Sequence, residues 1–518
     1  MIHERFATDV DNRLWTRRLL VLLALVTLWR LIYLFIVPLD LGPDEAYYWD
    51  WSRQLAWGYY SKPPLIAWVN ALSVGLFGVS AEAVRLPAVI LGAAGLYGLF
   101  LAARSLFDAR VGFWAVAAWL ATMGSASLGL IMATDVLLCL FWGGGLFFLW
   151  RLLEAPQQGN RWWWGTLCCV GLGALSKQMM LVFLLLMFIY LLCSRTDRPQ
   201  LKRLWPYSLS LLSSAFLLPN LYWNYRHDWI TLQHTAHHVE PTTPSLLERF
   251  GFFAEFVGSQ LGLLSPITWV LLIATLLLCL RRFSALTRQE KYLLAFSAPG
   301  LLGFFGLSFI QSINPNWPAV FYLAGMILLA ARLAGGSRRQ PDQWFLRGIV
   351  LGVVLTLVAY SLPLLVEYAG LPLGKKDPSK RIRGWSGYGA KIAQTIEQQP
   401  RPDQTLIISP LRKYVSEAAF YVPGHPVAYR WSGPTVNVAS QYELWPGPYD
   451  KSGWDAVIVT NYREILPAEL MAAFEQVEKI EDVKTALPGG FARAYTLYRG
   501  SRLRFWPEQG GAAGLQEQ

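Results

Sequence analysis

Charged residues are scarce in this chain, and that scarcity excludes an ordinary soluble protein. Only 15% of its 518 residues are charged and 54% are hydrophobic, whereas a soluble domain carries about 25% charged residues. Several runs, among them Leu19–Val37 and Thr268–Leu280, are apolar and nearly free of charge. A helix of about 20 such residues crosses a bilayer. The composition therefore predicts a polytopic membrane protein.

Cysteine is also rare, and its placement excludes a disulfide framework. The five cysteines lie inside apolar segments and form no CxxC pair, so no disulfide pattern is indicated. They are Cys139, Cys168, Cys169, Cys193 and Cys279. A small-residue cleavage site is missing after the first apolar run, so Leu19–Val37 is predicted to be a retained transmembrane helix rather than a signal peptide.

The net charge of +11 would suggest nucleic-acid binding in a soluble protein. Here the basic residues form short clusters between apolar runs, a pattern that indicates membrane topology instead. If the N-terminus is cytoplasmic, most of these clusters fall in cytoplasmic loops and few basic residues remain outside. The predicted spans, about eleven, are 19–38, 83–103, 112–132, 136–153, 162–176, 179–194, 204–222, 255–280, 292–310, 317–333 and 345–366.

The segment Leu65–Val79 tests this orientation. It is apolar enough to span a membrane, but it is short and is interrupted by Asn70 and two glycines. If it crossed, every later basic cluster would lie outside. It is therefore predicted to be a re-entrant or interfacial helix within a long first outer loop, 39–82. The transmembrane module then comprises residues 1–366.

The chain after residue 366 is richer in charge, proline and glycine. An odd number of spans puts it on the outer, non-cytoplasmic side of the membrane. The sequence predicts strands at 405–409, 455–460 and 492–498 and helices at 388–399 and 467–477. We therefore expect a membrane all-α fold with a small periplasmic α/β domain at 367–503, followed by a disordered tail at 504–518.

The first outer loop contains an acid pair among many aromatic residues, in the sequence LGPDEAYYWDWSRQLAWGYYSKPPLIAW. Pro43 can begin a helix, and Asp44 and Glu45 then occupy its first turn, which the helix dipole favours. A carboxylate could also deprotonate an acceptor hydroxyl, and Lys62 could hold a leaving phosphate. The aromatic rings suit stacking on sugars, although an interfacial belt would explain some of them.

Further polar residues lie at the predicted outer ends of spans. They are Asp135 in MATDVLL, Lys177 in LGALSKQMMLVF, and Asn314 and Asn316 in SINPNWPAVFY. Ionisable residues at membrane depth are costly unless paired, and they point to function. At the interface the same residues could be plain turn residues. Because all of them face the same side as Asp44 in this topology, they are candidates for one site.

Four of the six histidines lie in one outer loop, NYRHDWITLQHTAHHVE. They are His227, His234, His237 and His238, and the last three have i, i+3, i+4 spacing that could converge on a metal if the stretch is helical. The loop carries no carboxylate motif such as HExxH. A solvated or sugar-contacting loop is the favoured interpretation. We assign no metal ligands, although a divalent metal is possible.

A collinear series of motifs resembles the bacterial glycosyltransferase family 39-like enzymes, relatives of protein O-mannosyltransferases and of the aminoarabinose transferase that acts on lipid A. The matching pieces cover about 40–325. They are GPDEAYYWDWS, YYSKPPLIAW, AVRLPAVILG, ATD, LGALSKQ, LPNLYWNYRHDW, GSQLGLLSP and NPNWPAVFY. The resemblance implies a GT-C fold, with a helix-bearing first outer loop and a variable C-terminal domain.

The resemblance also implies a polyprenyl-phosphate sugar donor and an acceptor on the outer face, which could be lipid A, another glycan or a protein. The family's catalytic acid pair falls on Asp44 and Glu45, and the lysine that contacts the lipid phosphate falls on Lys62. Relatives that transfer aminoarabinose have a glutamate before that lysine, where Ser61 stands here. The family's later acid and lysine correspond to Asp135 and Lys177.

The predicted reaction displaces polyprenyl phosphate from the anomeric carbon of the sugar. Asp44, Glu45 and Asp135 are the predicted catalytic residues. The residues predicted to bind the donor phosphate are Lys62, Lys177 and Arg85, and those predicted to bind sugar or acceptor are Trp57, Tyr59, Tyr60 and Asn316. A GT-C oligosaccharide ligase or polymerase is the nearest alternative. A secondary transporter should instead show repeat symmetry and polar residues near mid-membrane, and a scaffold would not need the acid pair.

Overall fold

The chain folds mainly into helices, and its contacts divide it into two units. The computed structural model describes residues 2–155, 160–237, 244–335, 340–433 and 438–507. The helical unit comprises Met1–Leu34, Arg85–Leu221 and His238–Tyr360. The mixed unit comprises Phe35–Val84, Tyr222–His237 and Ser361–Gln518. The predicted first loop, 39–82, therefore groups with the C-terminal region, a grouping for which the sequence carries no signal.

Four helices in the described part of the chain are long and apolar enough to cross a membrane: Asp11–Ile36, Ala81–Leu106, Thr134–Glu154 and Gln343–Ala369. A fifth span results if Leu246–Leu264 and Pro266–Arg281 are counted together. The protein is therefore a multi-pass membrane protein. The other helices that lie wholly or partly in the helical unit are Ala109–Leu120, Met123–Leu128, Asn160–Ser176, Leu181–Cys193, Trp205–Ala215, Leu218–Arg226, Arg288–Ala295, Ala298–Leu307 and Ala319–Ala334.

Several predicted spans are broken rather than continuous, so the count of eleven is not confirmed. The predicted span 255–280 is a pair of helices bent by 110°. At the bend Ser265 has a left-handed φ of 70° and Pro266 begins the second helix, because proline cannot continue the preceding hydrogen-bond ladder. The predicted span 112–132 also breaks, where the Thr122 side chain caps a new short helix.

Glycines let two of the long helices approach closely. A Cβ atom on Gly95 would lie 3.2 Å from the Cα of Leu140, and one on Gly98 would lie 3.4 Å from the backbone nitrogen of Gly144. Small residues at such crossings are typical of membrane helices, because van der Waals packing replaces the hydrophobic effect there. The helix Thr134–Glu154, which carries Asp135, is thereby packed tightly against Ala81–Leu106.

The mixed unit is built on a five-stranded sheet. Its strands are β1 (Thr405–Ser409), β2 (Ala428–Arg430), β3 (Asp455–Asn461), β4 (Phe474–Ala486) and β5 (Ala492–Leu503). They lie in the order β2-β1-β3-β5-β4. β1 runs parallel to β2 and β3, whereas β5 is antiparallel to β3 and β4. The predicted small sheet at the C-terminus is confirmed.

Two predictions in this region are wrong. The helix predicted at 467–477 covers only Ala468–Ala472, and the chain then enters β4. The disordered tail predicted from residue 504 begins too early, because Trp506 is 7% exposed and belongs to the core around Trp431. The rest of the predicted tail, from 508 onward, lies outside the described residues.

Helices complete the mixed unit. The segment predicted as re-entrant or interfacial contains the helix Leu65–Phe77, so its helical state is confirmed. The helix predicted at 388–399 is observed at Trp385–Glu397. The remaining α-helices of the unit are Pro43–Ser52, Ile230–His237, Arg412–Tyr421 and the short Ala468–Ala472. Pro43–Ser52, which carries the acid pair, packs against Arg412–Tyr421.

Candidate active site

The helix Pro43–Ser52 separates the two acids of the predicted pair. Gly42 is its extended N-cap and Pro43 its first residue, a position that tolerates proline because its N–H would lack a helical partner anyway. Glu45 is 2% exposed, and its Oε2 accepts a hydrogen bond of 2.9 Å from the backbone N–H of Gly42. The Asp44 side chain is 70% exposed. Glu45 therefore stabilises the helix start, and Asp44 faces outward.

Asp44 is held by an arginine from the C-terminal region. Arg412 Nη2 donates to Asp44 Oδ1 at 2.7 Å, and the guanidinium also lies 4.5 Å from the centre of the Tyr47 ring. Arg412 stands at the start of Arg412–Tyr421. Sequence reasoning missed it, because nothing local to Arg412 indicates a partner 368 residues away.

Aromatic packing fixes the position of this acid-bearing helix. Trp49 packs edge-to-face on Phe420 at 4.8 Å and lies 5.3 Å from the ring of His425. Ser416 Oγ donates to the carbonyl of Pro43 at 3.2 Å. Trp49 is 2% exposed, so much of the aromatic run after the acid pair forms packing surface rather than sugar-binding surface.

Asp50 is a buried acid in the same helix that sequence reasoning did not single out. Tyr442 donates its hydroxyl to Asp50 Oδ2 at 2.9 Å, and Arg53 Nη1 donates to Oδ1 at 3.1 Å. Burial raises the pKa of the Asp50 carboxyl to about 6, although Arg53 and Tyr442 both favour its charged form. An acid enclosed by tryptophans in GPDEAYYWDWS is the signal that could have identified it.

The three aromatic residues predicted to bind sugar have different environments. Tyr59 is fully buried, stacked on Trp51 at 4.5 Å, so its ring faces cannot stack on a ligand and we remove it from the candidate site. Tyr60 is half-buried, and its hydroxyl lies 3.1 Å from His234 Nδ1. Trp57 is 52% exposed and can contact a ligand.

Lys62 lies in the irregular turn between Pro43–Ser52 and Leu65–Phe77. Its side chain is half-buried, and its carbonyl accepts a hydrogen bond of 3.1 Å from the backbone N–H of Tyr59. Pro63 and Pro64 are buried directly after it. This packing holds the backbone that carries the lysine, within the same unit as Asp44.

The helical unit brings together three polar residues that the sequence predicted separately. Lys177 Nζ lies 2.8 Å from Asp135 Oδ1, and Asn316 Nδ2 donates to Asp135 Oδ2 at 2.9 Å. The Asp135 and Lys177 side chains are 7% and 12% exposed, whereas Asn316 is exposed. Asp135 has both oxygens occupied, so it is suited to positioning its neighbours.

Local structure explains why Asp135, Lys177 and Asn316 lie close together. Asp135 is in the first turn of Thr134–Glu154, where the helix dipole favours a carboxylate. Lys177 is an extended residue between Asn160–Ser176 and the following 3-10 turn. The loop that bears Asn316 is anchored by the buried Gln260, which donates to the Pro315 carbonyl at 3.1 Å.

Arg85 and the histidines complete the predicted candidates. Arg85 is 6% exposed in Ala81–Leu106, within the helical unit. His227 stacks on Trp223 at 3.9 Å, and His234 lies beside Tyr60. The side chain of His237 and the whole of His238 lie outside the described residues. Across the residues that the structure does describe, no group of three or more His, Cys, Asp or Glu could hold a metal ion.

Comparison with known proteins identifies the class of the fold. The structure of ArnT from Cupriavidus metallidurans in the apo state matches with a TM-score of 0.61 and 15% identity, over 93% of this chain and 97% of ArnT. The same protein bound to undecaprenyl phosphate matches with a TM-score of 0.59 and 17% identity, over 92% and 97%. The fold is therefore that of ArnT.

Sequence comparison supports the same class. Residues 61–223 match the dolichyl-phosphate-mannose-protein mannosyltransferase family. The lipid A galacturonosyltransferase RgtD of Rhizobium johnstonii is 30% identical over 303 residues, which is 58% of this chain and 62% of RgtD. The match thus spans less than two thirds of RgtD. The resemblance to the glycosyltransferase family 39-like enzymes of the GT-C class is confirmed.

Proposed function

We propose that this protein is an integral membrane glycosyltransferase that transfers a sugar from a polyprenyl-phosphate donor to an acceptor on the periplasmic face of the bacterial inner membrane. The distribution of basic residues supports a cytoplasmic N-terminus and a periplasmic C-terminal domain. ArnT has been solved with undecaprenyl phosphate, which supports this class of donor. RgtD, a lipid A galacturonosyltransferase, makes lipid A the first acceptor and galacturonic acid the first sugar to test.

The observation that carries this proposal is the outward-facing carboxylate of Asp44. Of the predicted acid pair, only Asp44 is exposed, and Arg412 holds it in place by a 2.7 Å contact. Glu45 is occupied with the start of its helix. We therefore assign Asp44 as the general base or acceptor-orienting group and give Glu45 a supporting role.

The proposed chemistry is a displacement at the anomeric carbon. The acceptor hydroxyl oxygen forms a bond to that carbon while its proton passes to Asp44, and the bond from carbon to the phosphate oxygen breaks. Polyprenyl phosphate leaves with the bonding electrons. Lys62, in the same unit as Asp44, stabilises the leaving phosphate as a point charge. Trp57 and Tyr60 are the proposed sugar contacts.

In the helical unit, we assign ligand binding to the cluster of Asp135, Lys177 and Asn316. Lys177 has one carboxylate partner in the 2.8 Å contact with Asp135, and an ammonium group can donate three hydrogen bonds. It can therefore bind a phosphate oxygen while Asp135 keeps it in place. Asn316 is exposed and suited to a sugar hydroxyl. Arg85 is the further cation proposed for donor binding.

Mass spectrometry of the product tests the proposal. Purified full-length protein would be incubated with undecaprenyl-phosphate-linked galacturonic acid and lipid A in detergent micelles. We expect lipid A to gain the mass of one hexuronosyl residue, that is, hexuronic acid less one water, and envelope lipids from a strain lacking the protein to have lost a sugar. If that strain has an unchanged complement of envelope lipids, glycans and glycoproteins, the proposed function is wrong.

A further inference from the structure

A strongly basic loop closely follows the helix Gln343–Ala369, which is long and apolar enough to cross a membrane. Residues 374–383, called the basic loop below, have the sequence GKKDPSKRIR, with five basic residues and one acid. In the proposed topology the loop lies on the outer side, where basic residues close to a span are unusual. Membrane topology therefore does not explain its charge, and the proposed reaction does not use it.

Ion pairs fix the basic loop to the end of that helix. Arg383 is 3% exposed. Its Nη2 donates to the carboxylate of Glu367, in the last turn of the helix, and its Nη1 donates to Asp377 Oδ2 at 2.8 Å. Asp377 also accepts hydrogen bonds from the backbone N–H and the hydroxyl of Ser379, at 2.8 and 2.6 Å. The acid of the loop and one of its arginines are thus used to hold its conformation.

Three other cations of the basic loop are exposed: Lys375, Lys376 and Arg381. Among the described residues, none of the three forms an ion pair with a carboxylate. Lys380 is half-buried, and its ammonium group donates to the carbonyl of Lys375 at 2.7 Å, which links the two ends of this charged stretch. The loop therefore presents three charges that its own structure does not neutralise.

Two membrane helices end beside the basic loop. The hydroxyl of Tyr368 donates to the carbonyl of Ile36 at 3.0 Å, and Ile36 is the last residue of Asp11–Ile36. Tyr368 is 68% exposed, and an exposed tyrosine at the end of a span is typical of the membrane–water interface. Glu367, which holds the loop through Arg383, is the neighbour of Tyr368. The basic loop is therefore held where the lipid headgroups begin.

We propose that the basic loop binds the anionic headgroups of membrane phospholipids. A phosphodiester supplies the negative charge and the acceptor oxygens that ammonium and guanidinium groups bind. Clusters of Lys and Arg beside a span are attracted to anionic membrane surfaces. The contact fixes the mixed unit, which carries Asp44, at the surface of the bilayer. This inference needs only the position of the loop beside a membrane helix, and it does not depend on the proposed transfer reaction.

Lipid binding to the purified, delipidated full-length protein tests the proposal. The protein is titrated in a neutral detergent with dioctanoyl phosphatidylglycerol, or with zwitterionic dioctanoyl phosphatidylcholine, and native mass spectrometry counts the bound lipids. We expect more bound phosphatidylglycerol than phosphatidylcholine, and a smaller difference at high salt, because salt screens exposed charges. Inorganic phosphate at the same concentration as the lipid should not displace it. Equal binding of the two lipids, or displacement by inorganic phosphate, would overturn the proposal.

A triple substitution locates the binding in the basic loop. The loop variant, Lys375→Gln/Lys376→Gln/Arg381→Gln, neutralises the three exposed cations and leaves Asp377 and Arg383 in place. It should keep the melting temperature of the wild-type protein, because exposed substitutions away from such contacts change stability little. At the concentration that saturates the wild-type protein, we expect it to bind at least one phosphatidylglycerol molecule fewer.

A second triple variant removes the same charge from exposed positions elsewhere in the mixed unit: Lys479→Gln/Arg502→Gln/Arg504→Gln. Arg502 lies near the end of β5, a strand of 12 residues and so about 40 Å long. Arg383 contacts the carbonyl of Pro488, beyond the other end of β5, at 3.2 Å. This control should bind as many lipids as the wild-type protein. A loop variant with the wild-type number of bound lipids, or a control that loses as many as the loop variant, would show that the basic loop is not the binding site.

Discussion

The two acid-cation clusters of this protein differ in how their carboxylates are used. Asp135 in the helical unit is 7% exposed, and both of its oxygens are bonded, one to Lys177 and one to Asn316. Asp44 in the mixed unit is 70% exposed, and Arg412 contacts one of its oxygens. Both carboxylates have a cation at 2.7 to 2.8 Å, so distance alone does not distinguish them.

The two carboxylates differ in their burial and in the number of carboxylate oxygens that are already hydrogen-bonded. A buried ion pair is strongly coupled to folding, because removal of one partner leaves an uncompensated charge. An exposed pair contributes little to stability, because water screens it. The Asp135 cluster is therefore suited to holding a fixed geometry, and Asp44 is suited to exchanging a proton with a ligand. Five predictions test this contrast, in order of decreasing expected effect.

Replacement of Asp44 should have the largest effect on activity. Asp44→Asn removes the proposed base, so transfer should fall by about 10²- to 10⁴-fold without a change in melting temperature. Product formation is measured by mass spectrometry of lipid A. Asp403→Asn is the matched control, because Asp403 is also an exposed acid that follows a proline at a helical start. An Asp44→Asn protein with full activity would refute the assignment.

Loss of Lys177 should have the largest effect on stability. Lys177→Met leaves Asp135 buried without its cation, which should destabilise the protein by about 3 to 5 kcal/mol. Thermal and denaturant unfolding measure this. Lys391→Met is the control, because it breaks an ion pair with Glu481 in which the Lys391 side chain is 29% exposed and the Glu481 side chain 40%. It should lower the free energy of unfolding by about 1 kcal/mol or less. Equal effects for the two substitutions would show that burial does not make the Asp135–Lys177 pair more important for stability than an exposed pair.

Asp50 should make stability depend on pH. Its carboxyl has a pKa of about 6 in the folded protein against 3.8 ordinarily, so the folded state binds the proton more tightly than the unfolded state. Stability is therefore greatest below pH 4, falls as the pH rises from about 4 to 6, and is level above that range for this group. The loss corresponds to roughly 3 kcal/mol.

Unfolding curves between pH 4 and 8 check the Asp50 prediction. Asp50→Asn should remove this dependence. Tyr442→Phe removes a hydroxyl that favours the charged form, so it should enlarge the dependence. An unchanged pH profile in Asp50→Asn would show that another group is responsible.

Arg412→Gln should leave stability almost unchanged and reduce activity. Its ion pair with Asp44 is exposed, so the cost in unfolding free energy should be less than about 1 kcal/mol. Transfer should fall because Asp44 loses the contact that positions it, and Arg412→Lys should restore part of the activity. If Arg412→Gln lowers stability as much as Lys177→Met, the exposed Asp44–Arg412 pair contributes as much to stability as the buried Asp135–Lys177 pair, and the proposed difference between the two clusters is wrong.

The smallest effect is expected for Glu45→Gln. Glutamine can accept the same hydrogen bond from Gly42 at this position, so activity and stability should stay near wild type. Glu45→Ala loses that bond and should cost about 1 kcal/mol. A Glu45→Gln protein as inactive as Asp44→Asn would mean that both acids take part in the chemistry.

Much of the candidate site could be predicted because its signals are local. Asp135 and Lys177 interrupt apolar runs, and Asn316 lies in a loop of alternating asparagine and proline, so each stands out by itself. The sheet strands β1, β3 and β5 were also recognisable from their runs of β-branched and aromatic residues. Pro43 followed by two acids correctly indicated a helix start.

The missed features depend on contacts between distant segments. The burial of Tyr59 against Trp51 and the bond from Tyr442 to Asp50 leave no local pattern. Breaks within apolar stretches, such as that at Ser265, were missed because hydropathy averages over a window and does not register one left-handed residue.

By itself the sequence determined that this is a multi-pass membrane protein with an acid pair at the start of a helix, because apolar composition and first-turn preferences act within a few residues. Only the tertiary structure decided that Asp44 faces outward against Arg412 while Glu45 is buried, and that Lys177 and Asn316 meet on Asp135. Those outcomes depend on which helices and loops pack together. Packing brings residues that are far apart along the chain into contact, and no local pattern in the sequence indicates such contacts.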